Sequence, residues 1–219
     1  MSSLLTALTK PSVTNEPPSD AEIRRNDLAL LITVIFALFL GYGIRNNAIN
    51  ASRTVELGEN LPSVEIPARW IRGESEGYIV AARNPSSPSI FDSEIKIAVR
   101  PLNPNENMVT ARTGLGVQRS QELLRYRELS AGAVTVDGEP GIVVTYAYIA
   151  DPTRPSGALA APVVVQAQDL VFVEPDSSQV VVVTTAADAA DWEREEHYFR
   201  TVYNSLHVRE SLPTEGGEQ

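Results

Sequence analysis

A chain of 219 residues with no cysteine can form no disulfide, run no thiol chemistry and build no cysteine-ligated metal site. Its formal net charge of −10 repels phosphate backbones and sets nucleic acid aside as a partner. Residues 1–27 carry Lys10, Arg24 and Arg25 against Glu16, Asp20, Glu22 and Asp27, a net of −1, so the acidic excess belongs to the later chain.

Residues 1–27 mix Pro11, Pro17 and Pro18 with Ser, Thr and acidic residues, too little apolar surface to offset the entropy of ordering. They are predicted to be a flexible polar tail, with a short helical turn over 20–25. Residues 28–44, LALLITVIFALFLGYGI, are seventeen in a row without a charge, bounded by Asp27 and Arg45. As a helix they span about 25 Å, just under the ~30 Å hydrocarbon core of a bilayer. A buried core helix would show a polar face, and this one has none. A cleaved signal peptide would need a small-x-small site soon after the apolar run, whereas Ala48 and Ala51 stand three apart. A retained signal anchor fits the length and the flanks, so a single transmembrane helix in the lipid bilayer is predicted. The basic residues before it and Arg45 and Arg53 after it bias orientation weakly, and long domains cross largely regardless of charge. The expected arrangement places the N-terminus in the cytoplasm and the C-terminal domain outside it.

Inside this helix Ala29, Thr33, Ala37 and Gly41 stand four residues apart and form a stripe of small side chains. Such stripes let helix backbones approach closely in lipid, which makes these four the candidate packing face, for a second copy or for other membrane subunits.

Residues 45–60, RNNAINASRTVELGEN, lack long apolar runs and read as a spacer. Residues 61–208 read as one extracytoplasmic α+β domain, an antiparallel sheet packed with one or two helices. Ile95, Ile97 and Val99 alternate with polar neighbours as in a half-buried strand, and 77–83 (GYIVAAR) reads as another. Asp137-Gly138 between 133–136 and 141–149 predicts a hairpin. A long strand follows over 163–173, and the unbroken valines of 179–185 (QVVVVTT) predict a central strand covered on both faces. Helices are expected over 107–125 and 187–206, the second carrying Trp192, Phe199, Val202, Tyr203 and Leu206 as an apolar stripe with Glu195, Glu196 and Arg200 solvated opposite. Residues 209–219 are expected to be a disordered tail.

Three segments carry a resemblance to a known family. SVEIPARW (63–70) resembles the opening strand, proline and tryptophan of PsbP-like domains. VTVDGEPGIVVTYAYI (134–149) is similar to their glycine-centred hairpin, and 169–208 resembles their closing hairpin and C-terminal helix. PsbP itself is a soluble extrinsic subunit of the oxygen-evolving photosystem, whereas this chain keeps an apolar helix. The family has no shared active site, so the resemblance implies an accessory or assembly role beside a membrane complex and assigns no residue.

The residues themselves offer little chemistry. His197 and His207 are ten apart, about 15 Å along a helix, too far for one metal ion. Thr113-Gly114-Leu115-Gly116-Val117-Gln118 lacks the third glycine and the Lys-Ser/Thr of a phosphate loop. Arg112, Arg119, Arg125 and Arg127 form a local basic cluster, read as a helix face balanced by Glu122 and Glu128 or as a docking face. The loop 151–162, DPTRPSGALAAP, is long for a strand connection and is the expected protein contact. No catalytic residue, cofactor or metal site is predicted. The expected function is that of a non-catalytic accessory subunit or assembly factor of a membrane complex; the alternative is a tethered module holding a small apolar ligand or lipid.

Overall fold

The structure, a computed structural model, describes residues 19–58, 61–151, 161–174 and 178–206. Of the expected 1–27 tail, residues 1–18 lie outside the described residues, as do the expected tail 209–219, His207 and the greater part of the 151–162 loop, whereas 20–27 are helical rather than a flexible tail. The chain divides at Asn50 into two units.

The first unit is helix α1 (Asp20–Ile49). Ser19 starts it with a reciprocal cap: its hydroxyl accepts from the Glu22 N–H at 3.4 Å while the Glu22 carboxylate accepts from the Ser19 N–H at 2.9 Å. The predicted turn over 20–25 is therefore the start of one continuous helix of 30 residues, about 45 Å long. None of its residues is buried, and its apolar middle is long enough to cross a membrane. That is the build of a single-pass anchor or of a signal sequence.

The second unit starts earlier than the sequence suggests. The expected spacer over 45–60 is divided: 45–49 continues α1, and β1 (Ser52–Glu56) pairs antiparallel with β2 (Ser63–Pro67). Val55 and Leu57 alternate with polar neighbours, and both are buried in the core. Two apolar residues at period two suffice for a strand when the surface they meet is supplied by other elements.

The remaining strands are β3 (Ile71–Ser75), β4 (Tyr78–Arg83), β5 (Glu94–Pro101), β6 (Arg127–Val136), β7 (Glu139–Ala150), β8 (Val163–Glu174) and β9 (Gln179–Asp188). They form one antiparallel sheet in the order β3-β4-β5-β9-β8-β7-β6. Helix α2 (Met108–Glu122) carries the chain from β5 to the far edge, β6 to β9 return as a meander, and α3 (Trp192–Asn204) follows. The β6–β7 turn is the predicted Asp137-Gly138 pair, with φ of 49° and 91°, the left-handed pair a two-residue hairpin requires. Helix α3 starts at Trp192 rather than at 187 because β8 pairs with β9 as far as Asp188.

Period two divides β9 between two cores. Val181, Val183 and Ala187 face one side, where α3 and the β1–β2 hairpin cover the sheet with Ile66, Trp70, Phe199 and Leu206. Val180 and Val182 face the other, against Ala111 and Leu115 of α2. The predicted double coverage of this strand is observed: all eight residues from Val180 to Ala187 are buried. On the α3 side Phe199 stands between both tryptophans, 6.2 Å from the Trp70 ring and 5.1 Å from that of Trp192. Glu195 departs from the expected solvated face. It is 2% exposed and accepts from the Asn84 amide at 2.9 Å.

Phe199→Ala in the full-length chain in detergent is expected to lower unfolding free energy by about 3–5 kcal/mol. Arg200→Ala, one residue on and largely exposed, changes it by less than about 0.5 kcal/mol. Denaturant titration followed by tryptophan fluorescence reads both, because both tryptophans touch Phe199.

Candidate functional site

On α2 the positions facing the sheet recur every four residues, and the sequence places Ala111, Leu115 and then Arg119 there. The third of these drives a guanidinium into the sheet. On β8, Val165, Ala167, Asp169, Val171 and Val173 share the face beneath it. Arg119 and Asp169 are 6% and 2% exposed and meet in a two-pronged pair, Nε to Oδ2 at 3.0 Å and Nη2 to Oδ1 at 3.2 Å. Thr184 of β9 accepts from Arg119 at 2.9 Å and donates to Asp169 at 2.6 Å. The Tyr146 hydroxyl of β7 donates to Asp169 at 3.3 Å, and Arg119 Nη1 donates to the Tyr78 hydroxyl at 3.3 Å. Four strands and a helix are thus tied at one point.

Burial works against the charge on Arg119, but the facing Asp169 carboxylate outweighs it and holds the guanidinium above its usual value. Burial, with Asp169 adding to it, pushes the Tyr146 hydroxyl well up, so it stays a neutral donor. Every partner in this cluster is engaged by another. Its arrangement fixes α2 on the sheet.

Beside it, between α2 and the β3–β5 part of the sheet, lies an open cleft of about 400 Å³. Its lining is mixed: Glu76, Arg100, Arg119 and Glu122 stand beside the apolar Val99, Leu115 and Val182. Arg100 is clasped by Glu106 through two bonds of 2.8 and 2.6 Å, and Glu106 also accepts from the Asn103 N–H at 2.8 Å. These bonds hold the Glu106 carboxyl down at about 2 and staple the loop leading to the Asn107 cap of α2. Among the described residues no group of three His, Asp or Glu is placed to hold a metal ion.

The predicted packing residues Ala29, Thr33, Ala37 and Gly41 lie along one side of α1. Thr33 donates to the Ala29 carbonyl at 2.8 Å, so its hydroxyl is satisfied within the helix, and a Cβ added at Gly41 would meet nothing within 4 Å. The basic cluster is not one surface. Arg112 pairs with Glu128, Arg119 is buried, and Arg125 sits at φ 59° in the turn that ends α2. His197 is exposed on α3, its ring 3.8 Å from that of Tyr198. The Arg119–Asp169 cluster went unread, although a lone carboxylate in an apolar period-two row is the signal that announces a buried cation partner.

An antiparallel sheet closed by its last strand and covered by helices on both faces is the α+β fold of PsbP-like domains. Solved structures share it, among them two with similar coverage. Cyanobacterial PsbP (CyanoP) from Synechocystis sp. PCC 6803 matches with a TM-score of 0.53 at 15% identity, over 74% of this chain and 94% of that one. LpqN, involved in cell envelope biogenesis of Mycobacterium tuberculosis, matches with a TM-score of 0.53 at 10% identity, over 73% and 91%. No protein-family model and no curated protein matches the sequence. The likeness is one of fold.

Asp169→Ala is expected to cost about 3–5 kcal/mol by stranding a buried guanidinium, whereas Arg119→Met with Asp169→Leu costs far less than the two single changes summed. A double-mutant cycle by chemical denaturation measures it. Glu106 gives a pH signature of known sign. Because its folded value is depressed, its stabilisation is present above the unfolded value of about 4.3 and lost as pH falls through about 2. The stability gap between the native chain and Glu106→Gln should close over that window in pH-dependent denaturation.

Proposed function

We propose that this chain is a non-catalytic, single-pass membrane protein serving as an accessory subunit or assembly factor of a larger membrane complex. The N-terminus lies in the cytoplasm and the PsbP-like domain outside it. The observation that carries this reading is α1: thirty helical residues with an uncharged middle of seventeen, none of them buried, and a four-residue stripe of small side chains along one side. A helix apolar all round finds its solvent in lipid, and small residues along one face favour a helix as neighbour. The domain adds to it: the buried Arg119, Asp169, Thr184 and Tyr146 are committed to each other, which supports a role in contact rather than in chemistry. LpqN, which shares the fold, is involved in cell envelope biogenesis, and that supports a role for this domain at the cell envelope.

The test is purification of the full-length protein from its native membrane in mild detergent, with mass spectrometry of the chain and of what accompanies it. A fixed set of larger membrane subunits is expected, falling about tenfold when Ala37→Leu and Gly41→Leu block the stripe. Recovery of the chain alone, or only with its own copy, overturns the proposal. A mature N-terminus near Ala51 would make α1 a signal sequence and overturn the anchor.

A further inference from the structure

The cleft beside α2 is unbalanced in charge. Arg100 and Arg119, the cations that line it, are each neutralised by a carboxylate, Glu106 and Asp169. Glu76 and Glu122 also line it, both are exposed, and neither forms an ion pair with a described residue. Glu122 accepts only from the neutral Gln118 amide, at 2.7 Å, and Glu76 has no hydrogen bond among the described residues. Both negative charges stand uncompensated.

A second feature is independent of these acids. A guanidinium carries five N–H donors. Arg119, 6% exposed, uses four of them: two on Asp169, one on Thr184 and one, from Nη1, on the Tyr78 hydroxyl. The other Nη1 N–H has no acceptor among the described residues. The Tyr78 hydroxyl accepts from Arg119 and has no described acceptor for its own proton. Both residues line the cleft, so two donors there lack an oxygen, one of them on a buried side chain.

We propose that this cleft binds a lysine or arginine residue in a peptide segment of a partner protein. Charge decides the class of ligand: a carboxylate or phosphate would be repelled by the two unpaired glutamates, whereas a cation is attracted by both. The apolar lining of Val99, Leu115 and Val182 suits the methylene stem of a basic side chain, whose charged end Glu76 and Glu122 then hold. A main-chain carbonyl of the same segment supplies the oxygen for Tyr78 and Arg119. The volume of about 400 Å³ lies within the span of small-ligand sites, roughly 300–1,000 Å³, and suits one basic residue with its own peptide groups. The inference goes beyond the accessory reading, because it names the chemistry of one contact and does not depend on α1.

The probe is an end-blocked peptide, Ala-Ala-Arg-Ala-Ala, titrated calorimetrically into the full-length protein in mild detergent at low salt. Companion peptides replace the arginine by norleucine, which keeps the stem without the charge, and by glutamate. The arginine peptide is expected to bind about tenfold tighter than the norleucine peptide, and the glutamate peptide not at all. Glu76→Gln with Glu122→Gln should weaken the arginine peptide about tenfold, and Tyr78→Phe about threefold. Glu193→Gln with Glu196→Gln removes the same charge from α3, on the other face of the sheet, and should leave binding unchanged. Tryptophan fluorescence checks that each variant is folded. Four results overturn the proposal: no binding of the arginine peptide at millimolar concentration, no preference for arginine over norleucine, an equal loss in both glutamate pairs, or n-butylguanidinium binding as tightly as the peptide. The third would reduce the effect to overall acidity, and the last would make the ligand a free cation. None bears on which larger subunits accompany the chain, so this site and the accessory role stand or fall separately.

Discussion

Valines 180–183 of β9 are buried on both faces, and a strand in that position forces the sheet to be covered twice. One cover is α3 with the β1–β2 hairpin, and the other is α2. Neither helix has an apolar face wide enough to stand alone, so each owes its place to the strand beneath it. The two covers are secured by different means. On the α3 side Phe199 packs edge to face on Trp70 and tilted against Trp192, in a core drawn from both sheets. On the α2 side apolar contact is thinner, Ala111 and Leu115 against Val171, Val173, Val180 and Val182, and the buried pair of Arg119 with Asp169 helps to fix the helix.

That exchange of apolar area for a charged pair has a structural consequence. A buried pair adds little net stability over well-packed apolar residues, but it tolerates one geometry only. Leu115 and Ala111 would accept small slips of α2 along its groove. The two-pronged bond to Asp169, with Thr184 and Tyr146 on the same carboxylate, would not. The cleft beside α2 is bounded by that helix and by the Arg100–Glu106 clasp, so both its walls are held by charged bonds.

Where burial leaves a period in the sequence, the fold was legible. The alternation at Ile95, Ile97 and Val99, the valine run of β9, the Asp-Gly hairpin and the stripe from Trp192 to Leu206 all locate their elements to within a few residues. Elements that bury nothing are silent. No residue of β3 is buried, and one of β6 is, so pairing to a neighbour makes them strands without marking their hydropathy. Val55 and Leu57 were too few to stand out from a polar stretch. The polar interior was missed for a different reason: Arg119 and Glu195 carry the residue types of a solvated helix face, and only their distant partners, Asp169 and Asn84, take them inside. A pairing across 50 or 111 positions leaves no pattern on the helix itself; only Asp169, alone among the apolar residues of its row on β8, marks one end of such a pair.

The order of the strands also constrains how the domain can form. β5 is made early in the chain, yet its sheet partner β9 comes some eighty residues later, after α2 and a whole meander. Until β9 arrives, the β3–β5 sheet and the β6–β8 sheet are separate ribbons, each with an open edge, and neither helix has its floor. The long loop must close before its contacts repay it, which makes folding slow and cooperative rather than piecemeal. A chain lacking the residues from Gln179 onward would therefore lose the seam of the sheet and both cores at once, although only the last fifth of the sequence is gone.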